Sequence, residues 1–176
     1  MMMSRASTPT RPKVILGIDP GTTRMGFGII EAGREFSLVT CGIVSASPGL
    51  SVPMRLREIH EQLTAIIATH KPEAMGVEDL FFTKNQKTAI DVAAARGVAL
   101  LAGAQANIPT FIFTPPQIKQ AVTGWGQADK KQVQHMVKLL LRLEKAPSPD
   151  DAADAVAVAI CCAQSLPVLS FDPDKK

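Results

Sequence analysis

The pattern of apolar and polar positions along the chain predicts five strands and five helices. Short apolar runs bounded by glycine, proline or polar residues predict strands at residues 14–19, 26–31, 36–45, 74–80 and 110–113. Apolar residues at helical spacing predict helices at residues 56–70 and 130–143, and helix-start signals predict helices at residues 115–124 and 148–164. A further long helix is predicted at residues 88–105. The first three strands predict an antiparallel meander. The alternating helices and strands that follow predict a mixed five-stranded sheet flanked by helices, which is an α/β fold.

The composition is that of a globular protein with one domain. The 176 residues are 46% hydrophobic and 20% charged, which is enough apolar material for a core. We expect a folded domain at residues 13–168, an N-terminal tail at 1–12 and a C-terminal tail at 169–176. Neither a secretory signal nor an apolar run of transmembrane length is evident, so we expect a cytoplasmic protein with no membrane partner.

Net charge and cysteine content give only weak information about the function of the chain. The net charge of +3 and the pI of about 8.9 are weak indications of nucleic-acid binding. The charge matters more if the acidic residues gather in one site, because the remaining surface is then more basic than the total suggests. Cys161 and Cys162 are neighbours on a predicted helix, where we expect buried, reduced thiols rather than a disulfide or a zinc site.

Two carboxylates stand at the ends of predicted strands. Asp19 ends the first strand and is followed by the turn residues Pro20 and Gly21, and Glu78 lies near the end of the fourth strand. Each acid taken alone could simply face solvent. At the end of a buried strand, however, a carboxylate is costly unless a positive group lies opposite it.

Two further carboxylates stand at the start of the last predicted helix. Asp151 and Asp154 are three residues apart and therefore share a face. They could merely favour the positive end of the helix. Yet the helix that follows is small and apolar almost all round, as in a buried helix, and no basic residue lies within a turn of Asp154. Clustered oxygen ligands suit Mg²⁺ or Mn²⁺, and two such ions support phosphodiester cleavage.

Several motifs, taken in order, resemble the RuvC family of bacterial Holliday junction resolvases. The resemblance runs from about residue 14 to residue 163. It is carried by residues 15–21, by Glu78 with Phe81, Lys84 and Asn85, and by residues 95–98, 132–136 and 151–155. The first of these motifs is moderately specific, whereas the ordered set is highly specific.

The resemblance implies an RNase H-like nuclease domain that acts on four-way junction DNA. The catalytic and metal-binding acids of the family fall on Asp19, Glu78, Asp151 and Asp154. They imply a site for two Mg²⁺ ions, with Mn²⁺ as a substitute, and hydrolysis that leaves 5′-phosphate and 3′-hydroxyl ends. The family also implies a homodimer that nicks two strands symmetrically in DNA recombination and repair, with the RuvA and RuvB branch-migration proteins as partners.

The resemblance also points to residues that contact DNA. Phe81 matches the ring that stacks on an unpaired base near the crossover, although a loop phenylalanine can also fold back into the core. The other expected contacts are basic or amide side chains that position phosphates: Lys84, Asn85, Lys119 and Lys130. Weaker candidates are Lys131, Arg96 and His135, of which the last is more simply structural.

The predicted helix at residues 88–105 is rich in alanine and glycine. Small residues permit either tight packing on the sheet or a twofold helix–helix contact, and the resemblance favours the contact. Trp125 stands in a loop between helices where the family resemblance does not lead us to expect an aromatic residue.

Three other functions are compatible with parts of the sequence. Residues 17–23 also look like the first phosphate loop of actin-, Hsp70- and sugar-kinase-type ATPases, but those proteins need two lobes and a much longer chain. A non-catalytic junction-binding module would not need all four acids. An RNase H-like nuclease for RNA–DNA hybrids or flaps would share the acids, but not the loop that carries Phe81.

Overall fold

The computed structural model describes residues 11–79 and 86–166, and its elements follow the predicted order. The strands in the described part of the chain are β1 (Lys13–Asp19), β2 (Arg24–Ala32), β3 (Phe36–Ser45), β4 (Ala74–Glu78) and β5 (Thr110–Phe113). The helices are α1 (Val52–His70), α2 (Gln86–Gln105), α3 (Pro115–Thr123), α4 (Lys130–Leu140) and α5 (Asp150–Ser165). No helix among these is both long and apolar enough to cross a membrane.

The strands form one mixed sheet in the order β3-β2-β1-β4-β5. The meander prediction is confirmed, because β1 pairs antiparallel with β2, and β2 with β3. β4 pairs in parallel with β1 on one side and with β5 on the other. Ile18 lies opposite Val77 in the parallel pair, so the next residue of each strand, Asp19 and Glu78, stands at the same edge of the sheet.

Alternation along the strands sends neighbouring residues to two separate cores. Ile15 belongs to the core shared with α3, α4 and α5, whereas Leu16 belongs to the core under α1 and α2. The same period of two places Asp19 on the face of Ile15, and Glu78 on the face of Ala74. Both strand-end acids therefore point to the side of the sheet that α5 covers.

Helix α5 lies directly on the strands because glycines leave room for its backbone. A Cβ on Gly17 would lie 2.0 Å from the Ala155 carbonyl oxygen, and one on Gly26 would lie 1.9 Å from that of Asp151. The face of α5 that packs on these glycines is rich in alanine and valine, and residues 155–162 are all buried. Glycine in the sheet and small residues in the helix thus bring the two backbones together.

Several element boundaries differ from the predictions for local reasons. α1 begins at Val52 rather than residue 56, because Pro53 in its first turn is pre-set for helical φ. The fourth strand ends at Glu78 instead of residue 80. α4 ends at Leu140 instead of residue 143, and Arg142 just beyond it takes a positive φ of 52°, which cannot continue a helix.

We expect Gly17→Ala and Gly26→Ala each to destabilise the fold by about 3 kcal/mol, because the new methyl group meets rigid backbone rather than a movable side chain. Urea denaturation followed by far-ultraviolet circular dichroism measures the change. Gly33→Ala is the matched control. Gly33 is exposed, and the atom closest to a Cβ built on it would be a side-chain atom, Pro12 Cγ, at 3.3 Å. Equal stability of the Gly26 and Gly33 variants would show that the contact with α5 is not tight.

Candidate active site

Three elements bring the four predicted acids to one edge of the sheet. Asp19 and Glu78 end the adjacent parallel strands β1 and β4, and Asp151 and Asp154 lie in the first turns of α5. The contact between Gly26 and the Asp151 backbone fixes the start of α5 against β2, whose Gly26 pairs with Asp19. The packing of the helix on the glycines therefore sets where its two acids stand relative to the strand ends.

Asp19 and Glu78 interact directly. Burial raises the pKa of Asp19 most, and the nearby charges of Glu78, Asp154 and Asp151, with a hydrogen bond to Glu78, bring it to about 8. Burial also raises the pKa of Glu78, while its hydrogen bond with Asp19 and the charges of Lys119 and Lys130 lower it. The hydrogen bond raises the pKa of Asp19 and lowers that of Glu78, and the net pKa of both groups lies above the ordinary value, so the pair holds a proton more readily than isolated carboxyl groups do.

Lys130 neutralises the second part of the acidic cluster. Its Nζ lies 3.1 Å from Asp154 Oδ2 and 3.2 Å from Asp150 Oδ2. Burial and the charges of Asp150 and Asp151 raise the pKa of Asp154 by more than the contact with Lys130 lowers it. Lys130 and Gln134 hold the pKa of Asp150 below its usual value. Partial burial lowers the pKa of Lys130, but its hydrogen bonds to the two acids outweigh burial and the net shift is upward.

Asp151 is paired with Arg24, whose Nε lies 3.2 Å from Asp151 Oδ2. Neither Arg24 nor Asp150 was expected at this site from the sequence. The hairpin register could have indicated Arg24, because it precedes by two residues the Gly26 that pairs with Asp19. Asp150 could have been found from its place at the start of the helix, next to Asp151.

The donor set fits hard divalent cations, although the side chains are not arranged around an ion. Within the described ranges, no three acidic, histidine or cysteine side chains are grouped closely enough to hold one metal ion. Asp154 is instead paired with Lys130, and Asp151 with Arg24. An oxygen-only set of four carboxylates suits Mg²⁺ or Mn²⁺. A cation at this edge would offset the burial and the neighbouring negative charges that raise the pKa of Asp19.

A cleft of about 200 Å³ opens beside the acids. Glu78 and Asp154 line it together with Lys119 of α3 and Lys130 of α4. Two acids and two cations thus face the same space, which can accommodate a phosphate group between the lysines and the carboxylate edge. The structure therefore brings both predicted lysines, Lys119 and Lys130, to the acidic site.

The remaining candidates lie elsewhere. Phe81, Lys84 and Asn85 fall outside the described residues. Arg96, on α2, contacts Asp79 at 3.3 Å, just beyond the end of β4. Lys131 and His135 are exposed on α4 rather than in the cleft. His135 and Trp125 line a second, separate cavity.

Comparisons with known proteins give the same result over most of the chain. A family model described as crossover junction endodeoxyribonuclease RuvC matches residues 15–162. The RuvC of Pelotomaculum thermopropionicum is 52% identical over 149 residues, covering 84% of this chain and 91% of the relative. The RuvC of Petrotoga mobilis is 54% identical over 149 residues, covering 84% and 91%.

The fold also matches that of a solved RuvC structure. T. thermophilus RuvC in complex with Holliday junction substrate superposes with a TM-score of 0.80 and 33% sequence identity, covering 89% of this chain and 96% of that chain. The likeness confirms the predicted RNase H-like α/β fold. With the family model and the curated relatives spanning the elements that carry all four acids, the chain belongs to the RuvC family of crossover junction endodeoxyribonucleases.

Proposed function

We propose that this chain resolves four-way DNA junctions by paired hydrolytic nicks, with catalysis centred on Asp19, Glu78, Asp151 and Asp154. The convergence of these four acids beside a lysine-lined cleft carries the proposal. Family membership and a relative solved with Holliday junction substrate support the same substrate. The products are 5′-phosphate and 3′-hydroxyl ends.

The four acids are proposed to hold two Mg²⁺ ions, for which Mn²⁺ can substitute. When bound, the ions supply an activated water and stabilise the leaving oxygen. Asp19 and Glu78 would hold a metal ion in their deprotonated state. Asp154 and Asp151 would hold one in place of their contacts with Lys130 and Arg24. Lys130 would then remain in the cleft with Lys119, where the negative charge of DNA arrives.

Lys119 and Lys130 are proposed to position the scissile phosphate. Both line the cleft with Glu78 and Asp154. A lysine that leaves Asp154 has three N–H donors for phosphate oxygens, and its charge follows the backbone without reading sequence. Contacts of Phe81, Lys84 and Asn85 with DNA near the crossover are proposed from the family resemblance.

We expect Asp19→Asn, Glu78→Gln, Asp151→Asn and Asp154→Asn each to lower the cleavage rate by at least about a hundredfold, because each removes one charged metal ligand. Junction binding is expected to survive, since the phosphate contacts come from other residues. Cleavage of a labelled synthetic junction in Mg²⁺ measures the rate, and a gel-shift assay measures junction binding.

Asp150→Asn is the matched control, because it removes a neighbouring acid that is not among the four proposed metal ligands. A variant of one of the four that retains full rate in Mg²⁺ is not a ligand.

The substrate is tested by offering a four-way junction, a linear duplex and an RNA–DNA hybrid side by side. Paired symmetric nicks in the junction alone, lost in Asp19→Asn, support the resolvase. Cleavage of the hybrid would retain the metal site and change the substrate. Junction binding without any cleavage would make the chain a binding module.

The proton on Asp19 predicts how stability depends on pH without metal. The pKa of Asp19 is about 8 in the folded state and 3.8 for the ordinary group. The folded state therefore holds more protons between these values, and the free energy of unfolding falls as pH rises across this window, by up to about 1.4 kcal/mol per pH unit. Glu78 acts in the same direction.

Urea denaturation in EDTA, at several pH values across this window, measures the slope. Asp19→Asn is expected to flatten it and to be more stable than the natural chain at the alkaline end. Mg²⁺ is expected to offset the loss, because it binds the deprotonated folded state. Stability that rises with pH in EDTA would contradict the raised pKa of Asp19.

We propose a homodimer formed through α2. Exposed residues recur on one face of this helix at spacings of three and four, and those before the polar Gln105 in the last turn are apolar or glycine: Ile90, Ala93, Gly97, Leu101 and Ala104. Ile90 is 69% exposed and Leu101 is 51% exposed. The opposite face is buried through Ala95, Ala99 and Ala102. A helix that is apolar on both faces needs a second partner, and a twofold contact suits a twofold substrate.

We expect Gly97→Glu to weaken the dimer by about a hundredfold or more, because it places like charges across the twofold axis. A Cβ at Gly97 meets no atom within 4 Å, so the monomer fold accommodates it. Gly97→Ala is the matched control. Sedimentation of the natural chain as a single chain at micromolar concentration would exclude the dimer.

Three other proposals follow from family membership. RuvA and RuvB are proposed as partners in branch migration, and the cytoplasm as the location. The domain is proposed to span residues 13–168, between tails at 1–12 and 169–176. Pull-down of the two partners, cell fractionation and limited proteolysis test these proposals in turn.

A further inference from the structure

A second surface lies on α4, outside the cleft. We call it the Trp125 surface and define it by Trp125, Lys131, His135, Met136 and Lys138. Trp125, His135 and Met136 line a cavity of about 240 Å³, together with Gln132, Thr123 and Ala128. The proposed chemistry of the cleft uses none of these side chains.

Trp125 is the single tryptophan of the chain and it is 56% exposed. Leaving so large a ring in water forfeits much of its burial free energy. Its backbone is nevertheless held in place. The Trp125 N–H donates to Thr123 Oγ1 at 3.1 Å, and the Trp125 carbonyl accepts from Ala128 N–H at 3.1 Å. A fixed backbone thus presents the ring to solvent.

The helix beside the ring is basic. α4 carries three lysines and one histidine and has no acidic residue between Lys130 and Leu140. Lys131, His135 and Lys138 are spaced four and three apart and share a face. Within the described part of the chain, neither Lys131 nor Lys138 forms an ion pair.

The acids nearest this part of α4 are already engaged. Asp129 caps the helix by accepting from the Gln132 N–H at 2.9 Å. Asp150 accepts from Gln134 at 3.0 Å and contacts Lys130 at 3.2 Å. The charge that the Trp125 surface offers to a ligand is therefore positive, which suits phosphates.

The Trp125 surface is continuous with the cleft. Lys130 reaches Asp154 in the cleft from the first position of α4, and Lys131 is the next residue. From Lys131 to Lys138 the helix rises about 10 Å, at about 1.5 Å per residue. That length matches about three steps of one DNA strand, at about 3.4 Å per step. A duplex arm that leaves the cleft along α4 has Lys131 and Lys138 along its path, and His135, which shares their face, lines the same cavity as Trp125.

We propose that the Trp125 surface binds the sugar–phosphate backbone of a junction arm beyond the cleft. Lys131 and Lys138 contact phosphates, and the Trp125 ring packs against a deoxyribose or a frayed base. The inference rests on the proposed junction substrate and adds a second contact region for it. The competing occupant, an acidic apolar segment of a partner protein, is an outcome of the test.

Because Trp125 is the single tryptophan, its fluorescence reports on this surface alone. The natural chain is titrated in EDTA with a long-armed junction and with a junction whose arms end near the crossover. We expect the long-armed junction to quench the emission and to lower the acrylamide quenching constant at least about threefold, in the range that ring stacking on DNA supports. The short-armed junction is expected to leave both nearly unchanged.

Variants give the second measurement. Trp125→Ala is expected to weaken binding of the long-armed junction about fivefold to tenfold, and Trp125→Phe much less. Val39→Ala is the matched control, because Val39 is an exposed apolar residue on β3, far from α4, and its affinity and cleavage rate are expected to be unchanged. The fluorescence arm uses the natural chain, so the test stands even if a variant does not fold.

The outcomes separate the inference from the proposed function. Full acrylamide access to Trp125 at saturating long-armed junction, with normal cleavage, overturns the inference and leaves the resolvase standing. Coverage of Trp125 only when a partner protein is added also overturns it. Failure to bind or cut any junction, by a folded chain, would remove the proposed function itself.

Discussion

The close contact between α5 and the sheet is the constraint on which the site depends. Glycines at 17, 26 and 28 let the helix backbone approach to a distance that no side chain would permit. The helix must in turn be built from small residues, and its whole middle is buried. Because the helix start is fixed over the strand ends, two acids from α5 meet two acids from β1 and β4. A looser contact would move α5 outward and separate its acids from the strand-end pair.

The second constraint is electrostatic. Four carboxylates at one edge of a sheet repel each other unless protons or positive groups offset their charge. Burial and neighbouring charges raise the pKa of Asp19, while Lys130 pairs with Asp154 and Arg24 with Asp151. These contacts are at least partly exposed to solvent, unlike the buried apolar contacts of α5.

Helix α4 shows how one element serves several purposes. Val133 and Val137 pack into the core, and the lysine at the helix start reaches the acids. In the described part of the chain, Lys131 and Lys138 on the outward face form no ion pair, and His135, which shares that face, lines a cavity with the exposed Trp125. The basic character of the chain, slight as a net charge of +3, becomes concentrated once the acids are drawn to one edge. The local surface, rather than the total charge, is what a polyanion would meet.

The sequence by itself determined the order of elements and the α/β class, and it predicted four acids that the structure brings to one edge of the sheet. These depend on local periodicity and on motifs that are short and contiguous. It did not determine that Arg24 and Lys130 pair with Asp151 and Asp154, nor that Asp19 and Glu78 interact. Those facts depend on distances between residues far apart in the chain. Strand register and the approach of α5 set these distances, and no local pattern encodes them. For the same reason, only the tertiary structure placed Trp125 in one cavity with His135 and Met136 of α4.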